Sequence, residues 1–444
     1  MLMQKREHFG SRLAVILAMA GSAIGLGNIW RFPYQVGQNG GAAFILLYLA
    51  ACLVLALPIF FAEAAIGRRS GSNVFGAMKK LAPGSPWKWV GLLTVITPLL
   101  LLSYYSVVGG WAVDYLYKAC TFSFSGNTSG IFGNFISSTW EPLIAHTVFL
   151  ALTAGVILMG VKKGIEKFTK ITMPMLFILI LVIMLFGLTL PGSWKGVEYL
   201  VKPDFSKITA EVAASAMGQA FFSLSLGIGT ILTYASYMKK DENIVSSGTY
   251  TAFSDLLFAF LAGFVIMPAV FAAGIAPSEG AGLVFETLPY IFSQMHTGSV
   301  VAILFFVTIL VAALTSSISL LEVGVAYMVE EKGWSRRRST LVLAAGVWVV
   351  GALCSLSFGP LEGVKILGLG IFDFFDQFCS NWLMPLGGLL FTIFVGWYMR
   401  KADVRDELTS GGRFNRRIFG AVYFLIRYVA PVGIVMVFIT NLIF

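Results

Sequence analysis

Charge is what this chain has least of. Only 12% of its 444 residues are Asp, Glu, Lys or Arg, roughly half the share of about 25% found in ordinary globular domains. With 57% hydrophobic residues and a mean hydropathy of +0.84, a soluble fold of this length is excluded. Histidine is nearly absent. His8, His146 and His296 stand far apart in sequence, which argues against a His-rich metal centre or a haem site. The four cysteines, Cys52, Cys120, Cys354 and Cys379, show no C-x-x-C spacing, so neither a disulfide framework nor a thiolate metal site is expected. No acid, base and nucleophile cluster along the chain, and no enzyme chemistry is expected. Nor is a cleavable leader, because Lys5 and Arg6 run into an apolar stretch too long for a signal peptide, with no small-residue cleavage site.

Apolar runs are abundant. Eleven approach or exceed the roughly 20 residues that cross a bilayer: 11–36, 41–67, 89–117, 142–160, 168–190, 211–238, 244–273, 298–328, 340–356, 367–399 and 418–443. They predict an all-α polytopic membrane protein, a single transmembrane unit over 1–444. The net charge of +9 would suit nucleic acid in a soluble chain, but its placement says otherwise. One set of inter-span segments holds Lys5, Arg6 and Arg12; Arg68, Arg69, Lys79, Lys80 and Lys88; Lys162, Lys163, Lys167 and Lys170. The same side holds Lys239 and Lys240; Lys332, Arg336, Arg337 and Arg338; Arg400, Lys401, Arg405, Arg413, Arg416 and Arg417. Only Arg31, Lys118, Lys195, Lys202, Lys207, Lys365 and Arg427 lie on the other side or within the membrane. The positive-inside rule then puts the N-terminus in the cytoplasm and, after eleven spans, the C-terminus outside. The implied partner is a lipid bilayer, not nucleic acid. No feature of the chain specifies an oligomeric state.

The first span is interrupted by Gly21-Ser22-Ala23-Ile24-Gly25-Leu26-Gly27-Asn28. Each Gly is worse than Ala in a helix interior by about 1 kcal/mol, and unwound backbone survives in a membrane only where protein or a polar cavity surrounds it. The sixth span repeats the oddity with Gln219 to Gly229, where Ser223, Ser225, Gly227 and Gly229 stand mid-membrane. Small residues alone could be helix-packing contacts, but packing does not explain Ser, Asn and Gln clustered with them twice. Spans 1 and 6 open two five-helix halves, 11–190 and 211–399, which an odd number of crossings inserts upside down relative to each other; 418–443 is an additional helix. Paired breaks in inverted halves mark the central site of a secondary transporter. Outer loops are longer, at 121–139, 191–210 and 276–297. In the last, 283–295 reads as a re-entrant or lid helix. The sequon Asn127-Thr128-Ser129 carries little weight.

Arg6-Glu7-His8-Phe9, Arg12-Leu13, Gly25-Leu26-Gly27-Asn28-Ile29-Trp30-Arg31-Phe32-Pro33-Tyr34 and Asn39-Gly40-Gly41-Ala42 resemble the opening of the neurotransmitter:sodium symporter family, in its bacterial amino-acid branch with eleven spans. The similarity continues through Phe222 to Gly227, Thr315-Ser316-Ser317 and Asp373 to Gln377. The resemblance implies sodium-coupled symport of an amino acid by alternating access, in the bacterial inner membrane. It implies two sodium sites. The first would use the Ala23 carbonyl, Asn28, Ser223 and Asp255, where the family usually carries Asn; a one-residue slip of the alignment gives Ser254. A mid-membrane carboxylate is costly unless it meets a cation, which favours Asp255. The second would use the carbonyls of Gly21, Ile24 and Ala312 with the hydroxyls of Thr315 and Ser316. Thr315 and Ser316 have an ordinary alternative in bonding to carbonyls of their own helix. Tyr48, Gln219 and Ser223 match the chloride site of animal relatives, but Ala259 replaces its helix 7 serine, so chloride-independent transport is expected.

By the same resemblance the substrate carboxylate would sit on the N–H groups of Leu26 and Gly27, beside the Tyr105 hydroxyl; a helix N-terminus is a ready anion site. Carbonyls of Ala23, Phe222, Ser223 and Ser225 would take its ammonium group. Leu101, Tyr105, Phe222, Ser225, Ile228, Ser316 and Leu320 would form an uncharged pocket, favouring a neutral hydrophobic or aromatic side chain. Arg31 and Asp376 would pair as an outer gate above Tyr105 and Phe222. Arg6 and Glu330 would pair as an inner one, supported by Phe9, Ser236 and Tyr237. Gly164 and Pro174 resemble a family element that unwinds in helix 5, and Glu63 is assigned to bonding the unwound backbone. The rivals are a proton-coupled or sodium-independent exchanger on the same fold, and a membrane-embedded sensor or channel.

Overall fold

The computed structural model describes residues 7–121, 123–124, 130–274, 282–295 and 297–443, without the side chains of 441 and 443. Nine helices among the described residues are long and apolar enough to cross a membrane. They are helix 2 (Ala42–Ser70), helix 3 (Trp87–Cys120), helix 4 (Trp140–Leu158), helix 5 (Val161–Leu188), helix 7 (Ile244–Ala272), helix 8 (Gly298–Lys332), helix 9 (Arg336–Leu356), helix 10 (Ile371–Tyr398) and helix 11 (Phe419–Thr440). Helix 1 joins them as a bent pair, Arg12–Ala23 and Gly27–Gln38, with 53° between its halves. Helix 6 is two shorter pieces, Ala210–Ser223 and Thr230–Ala235, neither long enough alone. The chain is thus an all-α polytopic membrane protein, and each apolar run of the sequence falls on one of these elements.

Helices 3, 4, 8 and 9 pack on one another as one block. Helix 2 packs on both pieces of helix 6, and helix 7 on the first half of helix 1 and on helix 2. That half of helix 1 also contacts helices 5 and 8, so it lies between the block and the rest. Helix starts are capped by side chains from the sequence: Ser11 accepts from Ala14 N–H at 3.3 Å and Thr209 from Val212 N–H at 3.2 Å. Each cap satisfies one of the N–H groups that a helix start leaves without an internal partner.

Several helices widen into a π-turn, and five of these turns end two residues before a proline. They are Gly27–Arg31 before Pro33, Cys52–Ala56 before Pro58, Leu283–Thr287 before Pro289, Phe378–Leu383 before Pro385 and Leu425–Val429 before Pro431. Proline has no N–H for the carbonyl four residues earlier, and its ring pushes that carbonyl away. Shifting to the wider i→i+5 pattern upstream absorbs the displacement without ending the helix.

One element departs from the all-helical expectation. Run 367–399 starts late: helix 10 begins at Ile371, and a short antiparallel hairpin, Lys365–Ile366 with Leu369–Gly370, precedes it. Its two central residues, Leu367 and Gly368, have φ of 50° and 85°, the conformation of a tight two-residue hairpin turn whose twist matches the strands. Between helices 7 and 8, 283–294 folds as a π-turn and a helix that bury Leu283, Phe285, Leu288 and Phe292. The sequon at Asn127 lies outside the described residues.

Candidate functional site

The site begins where helix 1 stops. Ile24 leaves helical geometry (ψ 109°), and the chain re-enters a helix at Gly27. The freed donors are taken up locally: Gly25 N–H donates to Asn28 Oδ1 at 3.1 Å and Leu26 N–H to the Tyr105 hydroxyl at 3.2 Å. Gly25 has no room for a side chain, since a Cβ there would lie 2.4 Å from Ser316 Oγ.

Helix 6 stops opposite. Between its pieces Ser225, Gly227 and Gly229 are left-handed, with φ of 52°, 78° and 72°. Gly227 N–H donates to Glu63 Oε1 at 2.6 Å, and a Cβ at Gly227 would stand 1.9 Å from the Met384 carbonyl oxygen. Ser225 accepts the rare conformation, at a cost of about 1–2 kcal/mol, and bridges the breaks: its hydroxyl donates to the Ser22 carbonyl at 2.9 Å. The two unwound segments therefore hold each other.

Two oxygen-rich clusters flank the breaks. In the first, Asn28 Nδ2 donates to Asp255 Oδ1 at 2.7 Å and Ser223 Oγ to Asp255 Oδ2 at 2.7 Å. Tyr48 donates to Ser223 Oγ at 2.9 Å, and Gln219 Nε2 to the Gly27 carbonyl at 3.2 Å. Asn28, Ser223 and Asp255 are fully buried. No arginine or lysine pairs with Asp255 among the described residues, so the carboxylate is surrounded by neutral groups only. Ser254 turns away, its hydroxyl donating to the Tyr250 carbonyl of its own helix at 2.9 Å. Asp255 is thus the member of that pair facing Asn28, and Ala259 is buried one turn further on.

In the second cluster, Ser316 Oγ lies 3.5 Å from the Gly21 carbonyl and 3.2 Å from that of Ile24. Thr315 Oγ1 lies 3.3 Å from the Ile24 carbonyl and 2.8 Å from that of Ala312. Successive residues on a helix face different ways, yet both hydroxyls reach Ile24 because helix 1 breaks between them. Three carbonyls and two hydroxyls with no nitrogen or sulfur among them form a donor set for a hard cation.

Between the clusters lies a small cavity whose wall includes Leu101, Tyr105, Phe222, Ser225, Ile228, Ser316 and Leu320, with Ala23 and Gly27 from the first break. Among the described residues no charged side chain lines it. Met384 and Gly25 also line it, and sequence reasoning missed both. Gly25 was legible, since it stands within the first break. Met384 gives a weaker signal: it precedes Pro385, and the π-turn before that proline brings helix 10 against Gly227.

The outer gate differs from the sequence expectation. Arg31 and Asp376 form no ion pair among the described residues. Arg31 lies instead over the ring of Phe222, with Cζ 4.5 Å from its centroid, a favourable cation–π placement directly above the cavity wall. Asp376 Oδ1 accepts from Ser380 Oγ at 3.2 Å, and Ser380 also meets the Tyr104 hydroxyl at 3.3 Å. At the basic end Glu330 accepts from Asn73 N–H at 2.8 Å and from Asn73 Nδ2 at 3.0 Å; Arg6 lies outside the described residues. Phe9 packs edge-on against Tyr234 and Tyr237, and its N–H donates to the Tyr237 carbonyl at 3.3 Å. Ser236 donates to the Thr233 carbonyl.

Sequence reasoning also missed an ion pair on a buried carboxylate here. Arg336 reaches Glu322 Oε2 at 2.5 Å, and the Tyr237 hydroxyl donates to Glu322 Oε1 at 2.8 Å. Its signal was a carboxylate inside a membrane span, which needs a partner. Around Gly164, helix 5 starts as a π-turn, Val161–Glu166, whose Val161 N–H donates to Glu7 Oε2 at 2.6 Å.

The chain matches known proteins over nearly its full length. A family described as "Sodium:neurotransmitter symporter family" matches residues 6–134 and 132–444. An uncharacterized sodium-dependent transporter of Bacillus subtilis (strain 168), YhdH, is 39% identical over 442 residues, covering 98% of each chain. A sodium-dependent serotonin transporter of Drosophila melanogaster is 26% identical, covering 98% of this chain and 76% of its own. Among solved structures, MhsT in complex with L-phenylalanine is 42% identical with a TM-score of 0.91, covering 98% of this chain and 100% of its own. With two broken helices facing each other across an uncharged cavity and an end-to-end match of this kind, the chain is a transporter, not an enzyme, and belongs to the sodium:neurotransmitter symporter family.

Proposed function

We propose that the protein carries a neutral hydrophobic or aromatic amino acid across the membrane together with sodium, by alternating access. The observation that carries this reading is the buried Asp255 carboxylate, held by Asn28 and Ser223 where helices 1, 6 and 7 meet, with no basic side chain to balance it among the described residues. A charge in that position calls for a cation, and the neighbouring Asn28 and Ser223 oxygens suit sodium. The Gly21, Ile24, Ala312, Thr315 and Ser316 oxygens supply a second site. The amino-acid carboxylate takes the Leu26 and Gly27 N–H groups and the Tyr105 hydroxyl, and Leu101, Ile228 and Leu320 receive the side chain. That MhsT was solved with L-phenylalanine supports an amino acid of this kind.

Transport is chloride-independent in this reading, because Asp255 supplies the negative charge and Ala259 offers no hydroxyl. Helices 1–5 and 6–10 act as inverted repeats, with the N-terminus in the cytoplasm of a bacterial cell and the C-terminus outside. Arg31 with Asp376 on the outside, and Arg6 with Glu330 inside, close the path in turn; Arg31 exchanges the Phe222 ring for Asp376 as it does so. The test is equilibrium binding of labelled amino acids to the purified protein, in sodium and in potassium. Binding of phenylalanine or leucine in sodium alone, with no binding of glutamate or lysine, supports the reading. Binding that is equal in both salts contradicts it.

A further inference from the structure

Arg427 is a cation within the apolar span of helix 11, with no carboxylate partner among the described residues. It stands eight residues into helix 11 from Phe419, about 12 Å along the axis at 1.5 Å per residue, on the half of the helix nearer the basic end. Its Nε is buried without a hydrogen-bond partner, and no ion pair reaches its guanidinium among the described residues. Two aromatic rings hold it instead, Trp397 with Cζ at 4.4 Å from the centroid and Tyr428 at 5.4 Å.

Proline builds this cradle. Pro431 has no N–H to return to the Arg427 carbonyl four residues earlier, and Trp397 Nε1 donates to that oxygen at 3.0 Å. The indole is thereby fixed alongside the arginine side chain. Gly396 lets the helices approach, since a Cβ there would lie 2.9 Å from Arg427 Cα. Trp397 and Tyr428 are 56% and 44% exposed, and Phe424 and Val432 beside them 54% and 60%, so the cradle opens on the lipid-facing surface.

The segment that leads into helix 11 is strongly basic. Arg413, Arg416 and Arg417 rim a concavity with exposed Phe414 and Ile418, and Lys401 lies over the Tyr423 ring at 5.4 Å. The acidic residues nearby are already engaged: Glu407 with Arg68 and Lys240, Asp403 with Arg69 and Arg400, Asp406 with Arg69. None of the four cations has a carboxylate partner among the described residues. An unpaired arginine about two turns into helix 11, aromatic walls, apolar side chains for acyl tails and a basic rim ahead of the helix together match one occupant.

We infer that the aromatic-walled surface around Arg427, where helix 11 packs on Trp397 of helix 10, binds an anionic phospholipid of the cytoplasmic leaflet, its phosphate drawn in to Arg427 and its attraction strengthened by the basic rim at Arg416 and Arg417. The full chain is reconstituted into nanodiscs of phosphatidylcholine with phosphatidylglycerol, and the lipids it retains are counted by native mass spectrometry. The wild type is expected to keep phosphatidylglycerol in preference to phosphatidylcholine, one molecule per chain more than Arg427→Gln keeps. Arg416→Gln with Arg417→Gln, a surface change that leaves the helix packing intact, weakens retention by about fivefold for each charge removed. Thermal stability provides a second readout: phosphatidylglycerol raises the unfolding temperature of the wild type and not of Arg427→Gln, while the two match in pure phosphatidylcholine. Equal retention of both lipids by the wild type, or undiminished phosphatidylglycerol on Arg427→Gln and on the double variant, overturns the inference. So does Arg427-dependent dimerisation that is indifferent to lipid charge, which would assign the arginine to a second copy of the chain.

Discussion

Asn28 on the broken first helix donates to the Asp255 carboxylate on helix 7 at 2.7 Å, and the same amide accepts the Gly25 N–H at 3.1 Å. One side chain thus links a charged group to the unwound backbone that flanks the cavity. A cation that takes up Asp255 and Asn28 must change how Gly25 and Leu26 are held, which is a direct physical route from ion binding to substrate binding.

Asp255→Asn removes the charge and keeps the size. The account predicts sodium affinity about tenfold weaker or worse, the equivalent of about 1.4 kcal/mol, together with stimulation of uptake by chloride that the wild type does not show. The check is uptake measured over a sodium series in chloride and in gluconate. Unchanged sodium dependence in both media would place the first ion elsewhere.

Thr315→Val keeps the branched shape on helix 8 and deletes the hydroxyl between the Ile24 and Ala312 carbonyls. Ser316→Ala deletes the other. Each is expected to weaken sodium activation of uptake by about tenfold, with little loss of folded protein, because a hydroxyl bonding carbonyls contributes only about 0.5–1.5 kcal/mol to stability. Sodium activation curves and thermal unfolding of the same preparations separate the two effects.

Tyr105→Phe leaves the Leu26 N–H without its acceptor at 3.2 Å. Substrate affinity should fall by about ten- to a hundredfold, in line with the loss of one hydrogen bond of about 1.5–3 kcal/mol to an ionised group, while sodium affinity measured without substrate is preserved. Parallel titrations of substrate and sodium read this out.

Gly227→Ala should be far more damaging than its one added carbon suggests. Its φ of 78° disfavours a side chain, and the new Cβ would meet the Met384 carbonyl oxygen at 1.9 Å. Strain of this kind costs about 1–3 kcal/mol before the overlap is counted. Poor recovery and a lowered unfolding temperature are expected, against near-normal folding for Gly218→Ala, where a Cβ meets nothing within 4 Å.

Much of the fold could be read from the residues, because length and hydropathy mark spans whatever their neighbours do. Both helix breaks were legible because glycine and polar side chains cannot sit idle in a bilayer. Other features depend on contacts between distant segments. Arg31 prefers the Phe222 ring to Asp376 in this structure because helix 6 brings the ring beneath it, and the hairpin at Leu367 and Gly368 delays helix 10 by a few residues. Met384 enters the cavity wall only because its backbone crosses Gly227. The Glu322–Arg336 pair joins two helices around a turn, and nothing in either local sequence names the other.

The account turns on coupling between sodium and an uncharged amino acid. Its most direct test is uptake of labelled phenylalanine or leucine into proteoliposomes with an imposed inward sodium gradient. Accumulation above the external concentration, abolished when potassium replaces sodium or when the gradient is collapsed, is the predicted result. Equal uptake with and without the sodium gradient would contradict it.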